Sequence, residues 1–204
     1  MRVNGRTLDE LLDFVERAPD FTACSNSDVA GAGVSILGHH HYQMFDRFQL
    51  PVTRAGAVDN MRAETNNAVL ELLNYPLTTL RLRGERSSVF GEASRVLQNW
   101  KSLNPQQNTC NVIACRAGQD FELYLCFRNP RCQTPEDLRR IKSEGVGVVE
   151  AGGEGIYPPP PDDDVLQEIR TDGLRIIKRI LDGLNAVEHE HWPVFFEQVC
   201  LHGA

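Results

Sequence analysis

The sequence predicts an α+β fold, an antiparallel sheet with flanking helices and a C-terminal helical appendage. Three observations carry this. Leu8, Leu11, Leu12 and Val15, and later Val89, Ala93, Val96, Leu97 and Trp100, recur at helical spacing and mark two amphipathic helices. Residues 111–116 and 121–128 are rich in β-forming side chains on either side of Ala117-Gly118-Gln119-Asp120, the pattern of a hairpin. A polyproline stretch, Pro158 to Pro161, then separates the sheet-forming part from a run of helical spacing.

In chain order, Thr7-Leu8-Asp9-Glu10 reads as a capping box that starts a helix over 8–18. Phe21 to Cys24 and Gly33 to Tyr42 read as strands on either side of a Gly-rich turn. Residues 45–66 read as a polar loop with a short strand around Leu50 to Thr53. Two strands follow, Val69 to Leu73 and Leu77 to Arg83, with Asn74-Tyr75-Pro76 bending the chain between them. A helix spans about Ser88 to Ser102, and the hairpin comes next. Val146 to Ala151 and Gly155 to Tyr157 read as further strands, giving a sheet with helices on one face. Asp162 to Asp164 place negative charge at a helix start, where it complements the macrodipole. Val165 through Leu184 form one or two helices, and Trp192 to Val199 a final docking helix. The expected division is a sheet domain over 1–158 and a helical segment over 159–204.

The 204 residues carry a formal charge of −7, which argues against a general nucleic-acid binder, because a phosphate-backbone footprint needs clustered Lys and Arg. No apolar run approaches the roughly 20 residues needed to span a bilayer, so no membrane association and a cytoplasmic location are expected. The six cysteines include no C-x-x-C pair and read as reduced, mostly buried thiols. No cofactor and no metal are expected.

The chemistry concentrates between Ser25 and Gln43, SNSDVAGAGVSILGHHHYQ. On a strand, His39, His41 and Gln43 share one face while His40 and Tyr42 take the other. Upstream, Gly31, Gly33 and Ser35 can present backbone N–H groups as a nest for phosphate oxygens. A phosphate cradle beside imidazoles suggests phosphoryl or nucleotidyl transfer; the competing readings of His39-His40-His41 are a surface histidine cluster or an adventitious metal site. His189-Glu190-His191 invites a metal reading too, but side chains two apart on a helix diverge, so these are expected to face solvent.

The run resembles the Asn...Gly-Gly-Ser-Ile-Leu-x-His-x-His-x-Gln segment of galactose-1-phosphate uridylyltransferases, above all their second bacterial class, in the histidine-triad-like superfamily. The resemblance extends over residues 1–158: Tyr75-Pro76-Leu77 is similar to the family's Trp-Pro-Met strand, Asn108-Thr109 to its His-Asn-Thr, Phe121-Glu122-Leu123 with Arg128-Asn129 to its Phe-Glu-Leu...Arg-Asn, and Ile141-Lys142 with Gly147 to Glu150 to its Ile-Lys...Gly-Leu-Ile-Glu. It implies a histidine-triad-like fold, UDP-glucose or UDP-galactose and a hexose 1-phosphate as ligands, and a homodimer. It also implies His41 as the nucleophile, since neutral imidazole attacks phosphorus and leaves readily from a phosphoramidate. Gln43 and Ser35 would donate to phosphate oxygens, His39 would stand beside the nucleophile, and Asn26 and Asn108 would lie near the nucleotide. In the family's first class the counterpart of His39 is a zinc ligand, whose N-terminal partners this sequence lacks. Arg81, Arg83 and Arg128 are candidates to neutralise a diphosphate, although alternating Arg equally suits a solvated strand face.

Two departures bear on substrate. Arg131-Cys132-Gln133-Thr134-Pro135 stands where the family carries a His-rich segment, and Gln107 stands where it has the His before Asn108. Met1-Arg2-Val3 resembles an internal Pro-Met-Lys-Ile of the family, so the chain reads as its C-terminal part or as a natural short version. The alternatives are a nucleotide-sugar or dinucleotide phosphorylase or hydrolase, and a noncatalytic nucleotide-binding remnant.

Overall fold

The computed structural model describes residues 2–33, 36 and 38–202. Its strands are β1 (Phe21–Ser25), β2 (Gln43–Asp46), β3 (Ala57–Thr65), β4 (Ala68–Leu73), β5 (Thr79–Gly84), β6 (Thr109–Ala117) and β7 (Asp120–Arg128). They form one antiparallel seven-stranded sheet in the order β2-β1-β6-β7-β5-β4-β3. The expected hairpin is its centre: β6 and β7 pair from Thr109↔Arg128 down to Ala117↔Asp120, and the turn uses Gly118 at φ +65°.

Both faces of the sheet are covered, which corrects the expectation of helices on one face. On the first face lie α1 (Gly5–Arg17) and α2 (Arg86–Leu103), whose Val89, Ala93, Val96, Leu97 and Trp100 are all buried. The second face is covered by α3 (Val148–Ala151) and α4 (Asp163–Gly183), which pack Val148, Ile177 and Leu181 into a core with Cys24, Ile113 and Tyr124. Residues of α5 (Trp192–Phe195) and the π-helical turn Phe196–His202 return to the first face, where Phe195 packs edge-on to Trp100 and Phe127. Alternation along β6 and β7 therefore sorts side chains between two cores. No described helix is long and apolar enough to cross a membrane.

Several local expectations are corrected. The cap of α1 is Asn4, not Thr7: its side-chain oxygen accepts from Arg6 and Thr7 N–H, and Thr7 serves as the third helical residue that bonds back to Asn4. Residues 57–65 form an edge strand instead of a loop; it is exposed and interrupted by Asn60 at φ +62°, which destroys the alternation that would have revealed it. The stretch around Leu50 to Thr53 holds a 3-10 turn over Pro51–Arg54. Val146 to Ala151 is not a strand, because Glu150 accepts the Gly147 N–H and closes one helical turn there. Residues 155–157 have no regular structure, and a single helix capped by Asp162 covers 163–183.

The strand expected over Gly33 to Tyr42 is also corrected. Pairing with β1 begins only at Cys24↔Gln43, and β1 ends at Ser25. The described residues between Gly33 and Gln43 have no ladder partner. All six cysteines are free, with Cys24, Cys110, Cys126 and Cys200 buried.

Candidate functional site

The site lies where β1 and β7 end and β2 and β6 begin. Past Ser25 the chain enters the Gly-rich turn, with Gly31 at φ +84° and Gly33 at φ +88°, conformations that favour glycine. The turn is closed internally by the Ser27 hydroxyl, which donates to the Ala32 carbonyl at 2.6 Å. Four contacts with other parts of the chain hold it. The Asn26 side-chain oxygen accepts the Val148 N–H at 2.7 Å. Gln133 Nε2 donates to the Gly31 carbonyl at 2.9 Å, so the Arg131–Pro135 segment packs onto the turn. Gly33 lies so close to Val146 that a Cβ there would fall 1.7 Å from its carbonyl oxygen.

The fourth contact is the half-buried Asp28, which takes the Val3 N–H at 2.8 Å and Lys101 Nζ at 2.7 Å on one oxygen and the Thr109 hydroxyl at 2.6 Å on the other. Burial by itself pushes this carboxyl up, but the bonds from Lys101, Thr109 and Val3 together hold it below the usual carboxylate range. Lys101 belongs to α2 and Thr109 to β6, so the turn is tied to the first face of the sheet as well as the second.

Beyond the turn, the His39 and His41 rings lie 5.6 Å apart, and the His40 and Tyr42 rings 6.5 Å apart. The alternation thus survives without a strand ladder. Tyr42 packs toward the first core and its hydroxyl donates to Glu10 of α1, whose carboxyl the bonds from Tyr42 and Arg6 hold low. On the opposite side, Gln43 stands in register with Cys24, and Phe45 packs on the second core. His41 Nδ1 and Gln43 Oε1 are buried and have no hydrogen-bond partner among the described residues. Ser35 lies outside the described residues.

Asn108 is committed to protein partners: its amide donates to the Trp100 carbonyl at 2.9 Å and its oxygen accepts from Asn129 at 2.8 Å. Arg81 and Arg83 pair with Glu71 and with Asp120 and Glu122 near the far end of the sheet. Arg128 is not on a solvated face. It is 1% exposed and donates to Asn111 Oδ1 at 2.7 Å and to the Val146 carbonyl at 3.0 Å. Beside it, Lys142 and Glu150 form a buried pair at 2.7 Å.

Sequence reading missed Asp28, Lys101 and Asn111, and named Thr109 only within the Asn108-Thr109 motif. Asn111 was within reach, because it lies two residues before the buried Ile113 and so on the second-core face of β6. A cleft of about 840 Å³ between Tyr75, Pro76, Ile177, Leu181 and Trp192 is bordered by His189 and does not include His39, His40 or His41. His189 and His191 are exposed.

No family model matches the chain, and no solved structure matches it. Curated relatives do. The chain is 26% identical over 220 residues to the galactose-1-phosphate uridylyltransferase of Staphylococcus carnosus, a match covering 94% of this chain and 42% of that protein. It is 30% identical to the enzyme of the same name from Streptococcus salivarius, over 78% of this chain and 37% of that one, and 28% identical to that of Bacillus subtilis, over 78% and 35%. The chain spans about two-fifths of the length of these relatives. Across that shared span it is a relative of the galactose-1-phosphate uridylyltransferases.

Proposed function

We propose that this chain carries a nucleotidyl-transfer site that moves UMP between a nucleotide sugar and a hexose 1-phosphate. An imidazole nitrogen of His41 attacks the α-phosphorus of UDP-glucose; the N–P bond forms, the bond to the bridging oxygen breaks, and glucose 1-phosphate leaves. A phosphate oxygen of the second hexose 1-phosphate then attacks the same phosphorus and displaces the imidazole. The observation that carries this reading is the pair of buried, unpartnered polar atoms, His41 Nδ1 and Gln43 Oε1, next to a turn with two positive-φ glycines. Buried polar atoms rarely go unmatched, and a bound phosphate or nucleotide supplies the match. Gln43 and the turn's N–H groups then stabilise charge that develops on the nonbridging oxygens. His39 stands beside the nucleophile, Asn26 anchors the turn, and Asn108 acts through the loop it holds.

Incubation with UDP-glucose and three competing acceptors tests it. Formation of UDP-galactose from galactose 1-phosphate supports uridylyl transfer. Consumption of UDP-glucose only with phosphate or water supports the phosphorylase or hydrolase alternative, which Gln133 favours by occupying the place of the family's His-rich segment. Tight UDP binding with no turnover supports a noncatalytic module. The reading includes a homodimer, supported by the exposed apolar side chains Met44 on the edge strand β2 and Phe48 just past its end; sedimentation as a monomer at micromolar concentration would contradict it.

A further inference from the structure

We propose that Arg128 is a positioning residue for the phosphate cradle: its guanidinium fixes the Val146 carbonyl, and that carbonyl sets the Gly31–Gly33 turn. The inference rests on the reading of that turn as a phosphate site.

Arg128 is among the largest fully buried side chains, and no ion pair among the described residues includes it. Taking a guanidinium out of water without a carboxylate is costly, so a charge kept there needs a specific return. Burial lowers its pKa to about 10, which leaves it charged at neutral pH. What it grips is one side-chain oxygen, on Asn111, and one main-chain oxygen, on Val146.

The Val146 carbonyl is also the atom against which Gly33 rests. It is wedged between the guanidinium and the Gly33 Cα, with no room for a side chain there. Two residues later the Val148 N–H reaches Asn26, at the other end of the turn. The segment from Gly145 to Val148 therefore touches the turn at its entry and near its exit. Its far side is locked by Glu150, which accepts the Gly147 N–H at 3.0 Å while paired to the buried Lys142. Among the described residues Arg128 makes the one side-chain hydrogen bond that reaches the segment from the sheet itself, beside the apolar packing of Val146 and Val148, and so refers the turn to the frame of β6 and β7. Without the guanidinium the Val146 oxygen is left buried and unpaired, and its peptide is free to rotate into the space that Gly33 occupies.

Three variants, Arg128→Met, Arg128→Lys and Gly33→Ala, with the Arg128→Met/Gly33→Ala double, test this through UDP affinity by calorimetry and amide exchange of the nucleotide-free chain. Arg128→Met is expected to weaken UDP binding about tenfold, as a slight displacement of binding groups does, and Arg128→Lys to stay within about threefold of wild type. Faster exchange is expected in residues 26–33 and 145–148 and not in α2. The double variant is expected to bind no worse than the weaker single, since both changes act on one carbonyl. Unchanged UDP affinity in Arg128→Met, additive losses in the double, or faster exchange spread evenly through β6 and β7 would overturn the proposal. If Arg128→Met does not fold, the exchange pattern of Arg128→Gln, which shortens the donor away from the Val146 carbonyl, decides by the same criterion. If wild type binds no UDP, the cradle reading itself fails, and the exchange pattern still tells whether Arg128 sets the turn.

Discussion

The Asn26 side-chain oxygen accepts the Val148 N–H at 2.7 Å, a bond between residues 122 apart that ties the end of β1 to the first residue of α3. It pins the entry of the Gly-rich turn to the second face of the sheet. Asn26→Ala leaves that N–H buried and unpaired, at an expected cost of about 1–3 kcal/mol in a urea melt, whereas Asn26→Asp keeps an acceptor there and is expected to lose less.

Asp28 pins the other face and makes the turn acid-sensitive. Its carboxyl is depressed in the folded chain, so its contribution is present above the unfolded value near pH 4 and is lost as pH falls through the lower folded value. Asp28→Asn is expected to be less stable than wild type at pH 7, by about 2–3 kcal/mol, and the gap is expected to narrow below about pH 4. Thermal melts over that range check the sign; a gap that widens on acidification contradicts it.

Gly33→Ala places a methyl against the Val146 carbonyl at a φ of +88°. Main-chain atoms on both sides have to move, and a loss of about 3 kcal/mol or more is expected. Gly56→Ala meets nothing within 4 Å and is expected to change stability by about 0.5 kcal/mol or less, which makes it the control for a glycine-to-alanine change in a loop.

The helices and the central hairpin were legible because each sets a strong period over many residues: α2 buries the face its spacing marks, and β6 and β7 pair around the turn the glycine announces. The edge strand β3 was not, since an exposed strand buries too little to leave a pattern. Residues 146–151 misled for the opposite reason. Their β-branched run suits a strand, but the Glu150 bond to Gly147 closes a helical turn instead. At the site, the histidine register could be read from alternation alone, whereas the grip of Asp28 on Lys101 and of Arg128 on Val146 depends on residues 73 and 18 positions away, which no local pattern encodes.

Sugar recognition should be weak. Gln133 spends its amide on the Gly31 and Pro130 carbonyls, and Arg131 donates its own N–H to Asn129, so these polar groups of the 131–133 segment are turned toward the protein. Calorimetry is expected to give UDP, UDP-glucose and UDP-galactose affinities within about tenfold of one another, since only buried, matched hydroxyls discriminate epimers strongly. A strong preference for one epimer would show a complete hexose pocket in this chain.

The most direct measurement is a map of the covalent label after incubation with UDP-glucose radiolabelled in the α-phosphate. The account predicts acid-labile label on the peptide containing His41, abolished in His41→Ala and retained in His40→Ala, whose side chain lies on the Tyr42 side of the segment. Label that survives His41→Ala and disappears in His40→Ala would contradict it, and the assignment of His41 as the nucleophile would fall.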